Sequence, residues 1–134
     1  MNTADFLRNS LTSHFELGTQ LSKFSMFVAL TRTIGTEGTG GSEVTAGTGS
    51  YSRISWNQDS STAPFVENSG TTLRNNGDID FVSSGADWGV ILGVEVFDAL
   101  VSGNRLFFTS ASTKTVTDGD TYRVPGSQLS IGFH

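Results

Sequence analysis

Residues 86–110 read ADWGVILGVEVFDALVSGNRLFFTS, two apolar segments with a short polar segment between them. From Val90 to Phe97 nearly every residue is aliphatic, β-branched or aromatic, which suits a buried, pleated strand. Because side chains alternate along a strand, we expect one wholly apolar face and one mixed face. The apolar face consists of Val90, Leu92, Val94 and Val96, and the mixed face of Ile91, Gly93, Glu95 and Phe97. The pattern predicts a central strand in a two-layer β protein.

The polar segment predicts a chain reversal after this strand. Ser102-Gly103-Asn104 combines tolerance of positive φ with side chains that hydrogen-bond the backbone, and Arg105–Ser110 is expected to return antiparallel. Asn76-Gly77 predicts either a hairpin or a tight corner. Further segments with strand character are Phe24–Thr33, Tyr51–Trp56, Lys114–Thr117, Thr121–Val124 and Leu129–Phe133. Short strands between frequent turns are typical of a β-sandwich or jelly roll, so we expect a mainly β, single-domain fold over residues 1–134.

One short helix is predicted over residues 1–17. Thr3 is expected to cap it, because its hydroxyl can accept from amides of the first turn, and Gly18 is expected to end it. Leu7, Leu11 and Phe15 recur every four residues and form one apolar face. Either this face covers the end of the sheet of its own chain, or the helix docks as an arm on a neighbouring subunit.

Glycine dominates residues 35–49, and we expect a long mobile loop without hydrophobic anchors. A phosphate-binding loop needs Gly-Lys-Ser or Gly-Lys-Thr at the start of a helix, whereas this segment has no lysine and leads into the strand-like Tyr51. Loops of this length that lack structure of their own are usually functional or disordered. The segment is therefore either a plain connector or a part of the chain that folds against a partner.

The composition indicates which partners to expect. The chain carries a formal net charge of −5 and its lysines and arginines are scattered, so we expect no nucleic-acid partner. No apolar run approaches the ~20 residues that span a bilayer, so no membrane partner is expected either. Only 16% of the residues are charged, which is more typical of an assembly component than of a free enzyme. With no cysteine, the chain carries no information about its redox compartment.

No catalytic, cofactor or metal site is expected. His14 and His134 are the only histidines, one on the predicted helix and one at the end, which argues against a conventional Ser-His-Asp arrangement. Four aspartates lie in predicted turns that contain glycine, where they are favoured for backbone hydrogen bonds rather than as acid–base pairs or calcium ligands. These are Asp78, Asp80, Asp118 and Asp120. We therefore expect a protein that is not an enzyme.

A carbohydrate-binding alternative depends on exposed aromatic rings. Alternation along Tyr51–Trp56 predicts that Tyr51 and Arg53 point outward. If Tyr51 and Trp88 are exposed, their rings are able to stack on sugars; if they are buried, they belong to the core, as most tryptophans of small sandwiches do.

Besides the predicted helix, the chain contains a series of short strand and turn motifs in a fixed order. They are Phe27–Leu30, Gly41–Val44, Ser50–Arg53, Asp87–Gly89, Val94–Ala99, Lys114–Thr121 and Leu129–Ile131. This series, which covers most of the chain, resembles a family of small structural proteins of tailed bacteriophages. The resemblance implies a β-sandwich virion component, of the kind described as head cement (decoration) proteins or tail-fibre-like minor tail proteins. It supplies no catalytic residues, and the glycine-rich loop departs from a minimal version of the pattern.

Within that resemblance we expect a decoration protein that bridges subunits of the major capsid protein on the outer surface of the capsid. Residues 1–17 and 35–49 are the segments expected to order against the shell. The alternative is a tail-fibre or minor tail protein in host attachment, but the chain has no heptad run or repeat with which to build a shaft. We also expect a homo-oligomer, a trimer at a symmetry axis. The residues expected at these contacts are Leu7, Leu11, Phe15, Glu37, Glu43, Arg53 and Arg105.

Overall fold

The computed structural model describes residues 2–17, 26–56, 65–68, 72–75, 77–126 and 128–132. Within these ranges the chain forms one α-helix, α1 (Asp5–Leu17), a 3₁₀ turn (Thr48–Ser50) and ten strands. The strands are β1 (Asn2–Thr3), β2 (Phe27–Thr31), β3 (Ile54–Ser55), β4 (Phe65–Asn68), β5 (Thr72–Asn75), β6 (Ile79–Val82), β7 (Gly89–Phe97), β8 (Arg105–Val116), β9 (Thr121–Val124) and β10 (Ser130–Gly132). The expected mainly β fold with one short helix is confirmed.

The strands form three antiparallel sheets. The largest has five strands in the order β1-β8-β7-β2-β3, and two smaller sheets have the orders β10-β5-β4 and β6-β9. β7 lies between β8 and β2, which confirms it as the central strand. The core combines side chains of β2, β7 and β8 with side chains of β6 and β9. The large sheet and the β6–β9 ribbon therefore share one core, in a small β-sandwich-like arrangement.

The predicted apolar face of β7 is correct only for the second half of the strand. Val94 and Val96 are buried in the core, but in the first half Ile91 is buried there, while Val90 is 43% exposed. The pairing with β8 is irregular between Ile91 and Gly93, where three residues of β8 lie opposite Leu92 alone. An irregularity of this kind changes which residues of a strand face the core, so the alternation that we expected does not run through the whole strand.

The predicted reversal after β7 is present and is held by side chains. Ser102 and Gly103 have φ of 56° and 77°, in the left-handed region. The Asp98 carboxylate accepts from the backbone N–H of Asn104 at 2.6 Å and from its side-chain amide at 3.0 Å. β8 then runs past the expected end of the return strand, from Arg105 to Val116.

The N-terminal segment differs from the expected helix at its start. Thr3 pairs with Phe107 in β1, and α1 begins at Asp5, directly after Ala4, so Thr3 is not the capping residue. Leu7 is buried in the core and Leu11 packs against it. The side chain of Phe15, and Gly18 altogether, lie outside the described residues. None of the helices in the described part of the chain is long and apolar enough to span a membrane.

Of the remaining strand predictions, Thr121–Val124 is confirmed as β9, residues 114–116 belong to the end of β8, and the others hold in shortened form. Phe24 and Phe133 lie outside the described residues, and only Ile54–Ser55 of the segment 51–56 is a strand. The Asn-Gly signal marks a corner and not a hairpin, because β5 pairs with β4 and β10, whereas β6 pairs with β9. Asn75 stabilises this corner: its side chain donates to the carbonyls of Gly77 and Pro125 and accepts from the N–H of Leu129.

Candidate functional site

A buried ion pair lies on the face of β7 that points away from the core. Glu95 is 1% exposed, and its Oε1 accepts from Arg105 Nη1 at 3.0 Å and from the backbone N–H of Gly41 at 2.7 Å. The two side chains come from neighbouring strands on either side of the reversal. A buried carboxylate needs such partners, because removal from water disfavours its charge. Glu95 interrupts an otherwise apolar run of sequence, and that interruption was the available signal for this pair.

Arg105 extends the contact from the sheet to the glycine-rich segment. Its Nη2 donates to the carbonyl oxygens of Thr36 and Glu37, the latter at 3.0 Å. Its guanidinium also lies over the ring of Phe108, 4.6 Å from the ring centre. Arg105 therefore ties residues 36 and 37 to β8.

The glycine-rich segment 35–49 is anchored along its length, contrary to the expected loop without hydrophobic anchors. Glu43 forms a β-bridge with Thr31. Ser42 accepts from the backbone N–H of Arg32 at 2.7 Å, and the N–H of Val44 donates to Leu30 at 3.1 Å. Val44 itself is buried in the core. These contacts hold the segment over the sheet, and the glycines allow its close approach.

Arg53 forms a second ion pair in the same region. Its Nε and Nη2 donate to the two carboxylate oxygens of Glu43 at 2.9 and 2.8 Å, the bidentate geometry that arginine favours. Its Nη1 donates to the carbonyls of Ala99 and Ser102 at 2.8 and 2.6 Å, and its guanidinium lies 3.7 Å from the ring centre of Phe97. Arg53 is buried, so the prediction that it points outward is wrong.

The aromatic residues considered for sugar stacking are core residues. Tyr51 and Trp88 are both buried and meet edge to face, with ring centres 5.4 Å apart. The Tyr51 hydroxyl donates to Glu43 Oε1 and accepts from the N–H of Leu30, each at 3.0 Å. Burial, together with the Glu43 carboxylate, raises the pKa of Tyr51 far above its usual range. The carbohydrate alternative that rested on these two rings is therefore wrong.

Four of the predicted contact residues converge on one cleft of about 370 Å³ between the N-terminal segment, residues 37–43 and the end of β7. They are Glu37, Glu43, Arg53 and Arg105. Glu37 is also paired with Arg8 of α1. Leu7 and Leu11 are directed to the core instead. The four predicted contact residues that line the cleft thus already have partners within the chain. The cleft lies between parts of the two segments that the sequence singled out, residues 1–17 and 35–49.

The four aspartates of the predicted turns have structural partners. Asp118 accepts from the N–H of Gly85 at 2.7 Å, and Asp120 from the N–H of Thr117 at 3.0 Å. The Arg123 guanidinium donates to Asp80 at 2.7 Å and lowers the pKa of that carboxyl, while Asp78 lies 3.6 Å from Arg123. Among the described residues no three His, Cys, Asp or Glu side chains cluster as a metal site would require. The side chain of His14, and His134, lie outside these residues.

The anchoring of the glycine-rich segment is testable at Gly41. A Cβ on Gly41 would overlap the backbone carbonyl oxygen of Thr33 and crowd the side chain of Thr31. We expect Gly41→Ala to lower the free energy of unfolding by about 1–3 kcal/mol, measured by urea titration.

Gly77 supplies the matched control, because a Cβ there meets nothing within 4 Å. Gly77→Ala is expected to change the free energy of unfolding by less than about 1 kcal/mol. Equal stability of the two variants would mean that residues 35–49 do not pack against the sheet.

A family model described as Podophage GP4 fiber I protein gp80 matches residues 2–132 of the chain, a range that includes every described residue. No curated protein matches the chain.

Proposed function

This chain belongs to the family described as podophage GP4 fiber I protein gp80, which makes it a phage structural protein, and we propose that it serves in the fibre rather than as a decoration of the head. The observation that carries the proposal is the extent of the family match, which covers residues 2–132. The sequence led us to place the decoration role first, because the chain has no shaft-forming repeat. The family match supports the fibre alternative better.

The internal contacts support a structural role without catalysis. The carboxylates of Glu43 and Glu95 are each held by an arginine, and the same arginines bind backbone carbonyls of neighbouring segments. Carboxylates that are paired in this way stabilise the fold and are not available as a general acid or base. We therefore propose a non-enzymatic fibre component that makes contacts with other virion proteins.

The copy number and position of the chain in purified virions test this role. We expect far fewer copies than of the major capsid protein, and gold-labelled antibody against the chain at fibres in electron micrographs. A copy number comparable to that of the capsid protein, with label spread over the capsid surface, would establish the decoration role instead.

Incubation of the purified protein with polysaccharide of the host envelope tests the non-enzymatic part of the proposal. We expect no new reducing ends, since the paired carboxylates are not available for acid–base chemistry. Release of reducing ends by the wild-type protein would overturn this part and leave the fibre assignment untouched.

A further inference from the structure

The cleft described above contains a carboxylate that the fold uses only in part. Glu95 is 1% exposed, and both hydrogen bonds that its side chain accepts, from Gly41 and Arg105, go to Oε1. In the described part of the chain, Oε2 accepts no hydrogen bond. It lies beside Gly40, since a Cβ on that residue would be 3.5 Å away, and Gly40 and Glu95 both line the cleft. A buried carboxylate oxygen without a donor is costly, so Oε2 favours a donor that enters the cleft.

A second carboxylate oxygen with the same property lies nearer to solvent. Asp5 also lines the cleft, and its side chain is 55% exposed. Its Oδ1 is 3.7 Å from Arg8, while Oδ2 has no partner in the described ranges and lies beside Gly38, where a Cβ would be 3.3 Å away. The cleft therefore offers one unpaired oxygen from a buried carboxylate and one from an exposed carboxylate.

The charges around the cleft favour a cation. Its lining carries more carboxylates than guanidinium groups, and the balance stays negative even when Arg8, which pairs with Glu37 from outside the lining, is counted. The lining carboxylates are those of Asp5, Glu37, Glu43 and Glu95, and the guanidinium groups are those of Arg53 and Arg105. Because the whole chain carries a net charge of −5, its field attracts a basic partner toward this site.

The apolar part of the lining indicates which kind of cation fits. The rings of Phe6 and Phe97 both contribute to the cleft. A lysine or arginine side chain combines a cation with an apolar stem, which lies well against such rings, and its cation is also attracted to their faces. Since a water molecule takes about 30 Å³ in the liquid, a cleft of about 370 Å³ has room for a side chain of this length. A metal ion fits less well, because no three potential ligand side chains cluster among the described residues.

We propose that the cleft binds a basic side chain, lysine or arginine, of another virion protein. The cation lies at Glu95 Oε2 and Asp5 Oδ2, and the stem lies along the two phenylalanine rings. Burial of Glu95 strengthens the contact, because water screens a buried carboxylate less than an exposed one. That the partner is a virion protein rests on the proposed fibre role, whereas the preference for a basic side chain rests on the cleft alone.

Nuclear magnetic resonance of the ¹⁵N-labelled full chain tests the preference for a basic side chain. The probes are N-acetylarginine amide and N-acetyllysine amide, and N-acetylcitrulline amide is the control because it has the shape of arginine without the charge. We expect at least one basic probe to shift the amide signals of the cleft glycines 38, 40 and 41 saturably and more weakly at high salt. The stronger of the two identifies the side chain. Citrulline is expected to cause no saturable shift.

The role of Asp5 is tested with Asp5→Asn, whose dissociation constant for the bound probe is expected to rise by about threefold. Asp78→Asn is the matched control. Asp78 is likewise an aspartate of intermediate exposure, 48%, that lies 3.6 Å from an arginine, but it is outside the cleft. Its variant is expected to bind the probe as the wild type does. Circular dichroism establishes that both variants are folded.

Incorporation into virions tests the partner. We expect phage that encode Asp5→Lys to carry fewer copies of the chain per particle than phage that encode Asp78→Lys, because the first substitution places a cation in the cleft where the partner's cation binds. Equal incorporation of the two folded variants would overturn the assignment of the partner to the virion.

Three results would overturn the cleft as a site for a basic side chain. They are citrulline binding as strong as that of the basic probes, shifts that spread over exposed carboxylates elsewhere without saturation at the cleft glycines, and equal affinity of Asp5→Asn and the wild type. The fibre role is decided separately, by the copy number and position of the wild-type chain in the particle.

Discussion

Replacement of Arg105 by leucine is expected to lower the free energy of unfolding by about 3–5 kcal/mol. The substitution leaves the Glu95 carboxylate buried with only the Gly41 N–H as its hydrogen-bond donor among the contacts described above. It also removes the two hydrogen bonds that hold the carbonyls of Thr36 and Glu37. The expected loss is large because a buried charge without its counter-ion keeps the full cost of its removal from water.

Urea unfolding followed by circular dichroism measures this effect, and Arg123→Leu is the control. Arg123 also pairs with a carboxylate, Asp80, but its side chain is 57% exposed, so water screens the pair and its loss is expected to lower stability far less than the loss of Arg105. If Arg105→Leu does not fold, the double variant Glu95→Leu/Arg105→Leu is expected to recover folding, because no charge then remains buried. Equal effects of the two arginine substitutions would contradict the burial of the Glu95 pair.

Replacement of Trp88 by alanine is the second change with a large expected effect, about 3–5 kcal/mol. The indole is fully surrounded: its Nε1 donates to the carbonyl of Thr48 at 2.8 Å and its ring meets Tyr51. Gly49 allows this approach, since a Cβ there would lie 2.8 Å from the indole nitrogen. Alanine would leave a cavity and would remove the indole hydrogen bond to the Thr48 carbonyl, which would keep the N–H of Tyr51 as a donor.

Thermal and urea unfolding measure the loss, with Ile34→Ala as the control for an exposed apolar side chain. Ile34 is half exposed, and its truncation is expected to change stability by less than about 1 kcal/mol. Wild-type stability of Trp88→Ala would mean that the ring is at the surface, and the sugar-stacking alternative would return.

The positions of strands and turns were largely predictable, because they depend on local properties of the chain. The alternation of apolar and polar side chains predicted the strands β7 and β2, and the Ser102-Gly103-Asn104 motif predicted the reversal between β7 and β8. The exact side of β7 that faces the core was predictable only in part. The irregular pairing near Leu92 depends on how β8 lies beside the strand, and the alternation of side chains within β7 does not show it.

Four residues of the candidate site were predicted from the sequence, but neither the role of Glu95 nor the arrangement of the site was. Arg53 and Arg105 were singled out, yet as outward contacts, because a strand pattern does not reveal what covers a face of the sheet. Residues 35–43 provide that cover, and their contact with Glu95 joins positions 54 apart in the chain. The way these residues lie on the sheet brings Glu43 to Arg53, while Glu95 pairs with Arg105 beneath them.

Local sequence patterns were enough to predict the mainly β class, the central strand, the N-terminal helix and the main turns, since period-two alternation and turn chemistry act over a few neighbouring residues. Long-range packing establishes three further features: the glycine-rich segment packs on the sheet, Tyr51 and Trp88 are core residues, and Leu100 and Val101 are exposed beside a hollow. Local patterns do not reveal these features, because burial is a property of two surfaces in contact. One segment of sequence describes only its own side of such a contact.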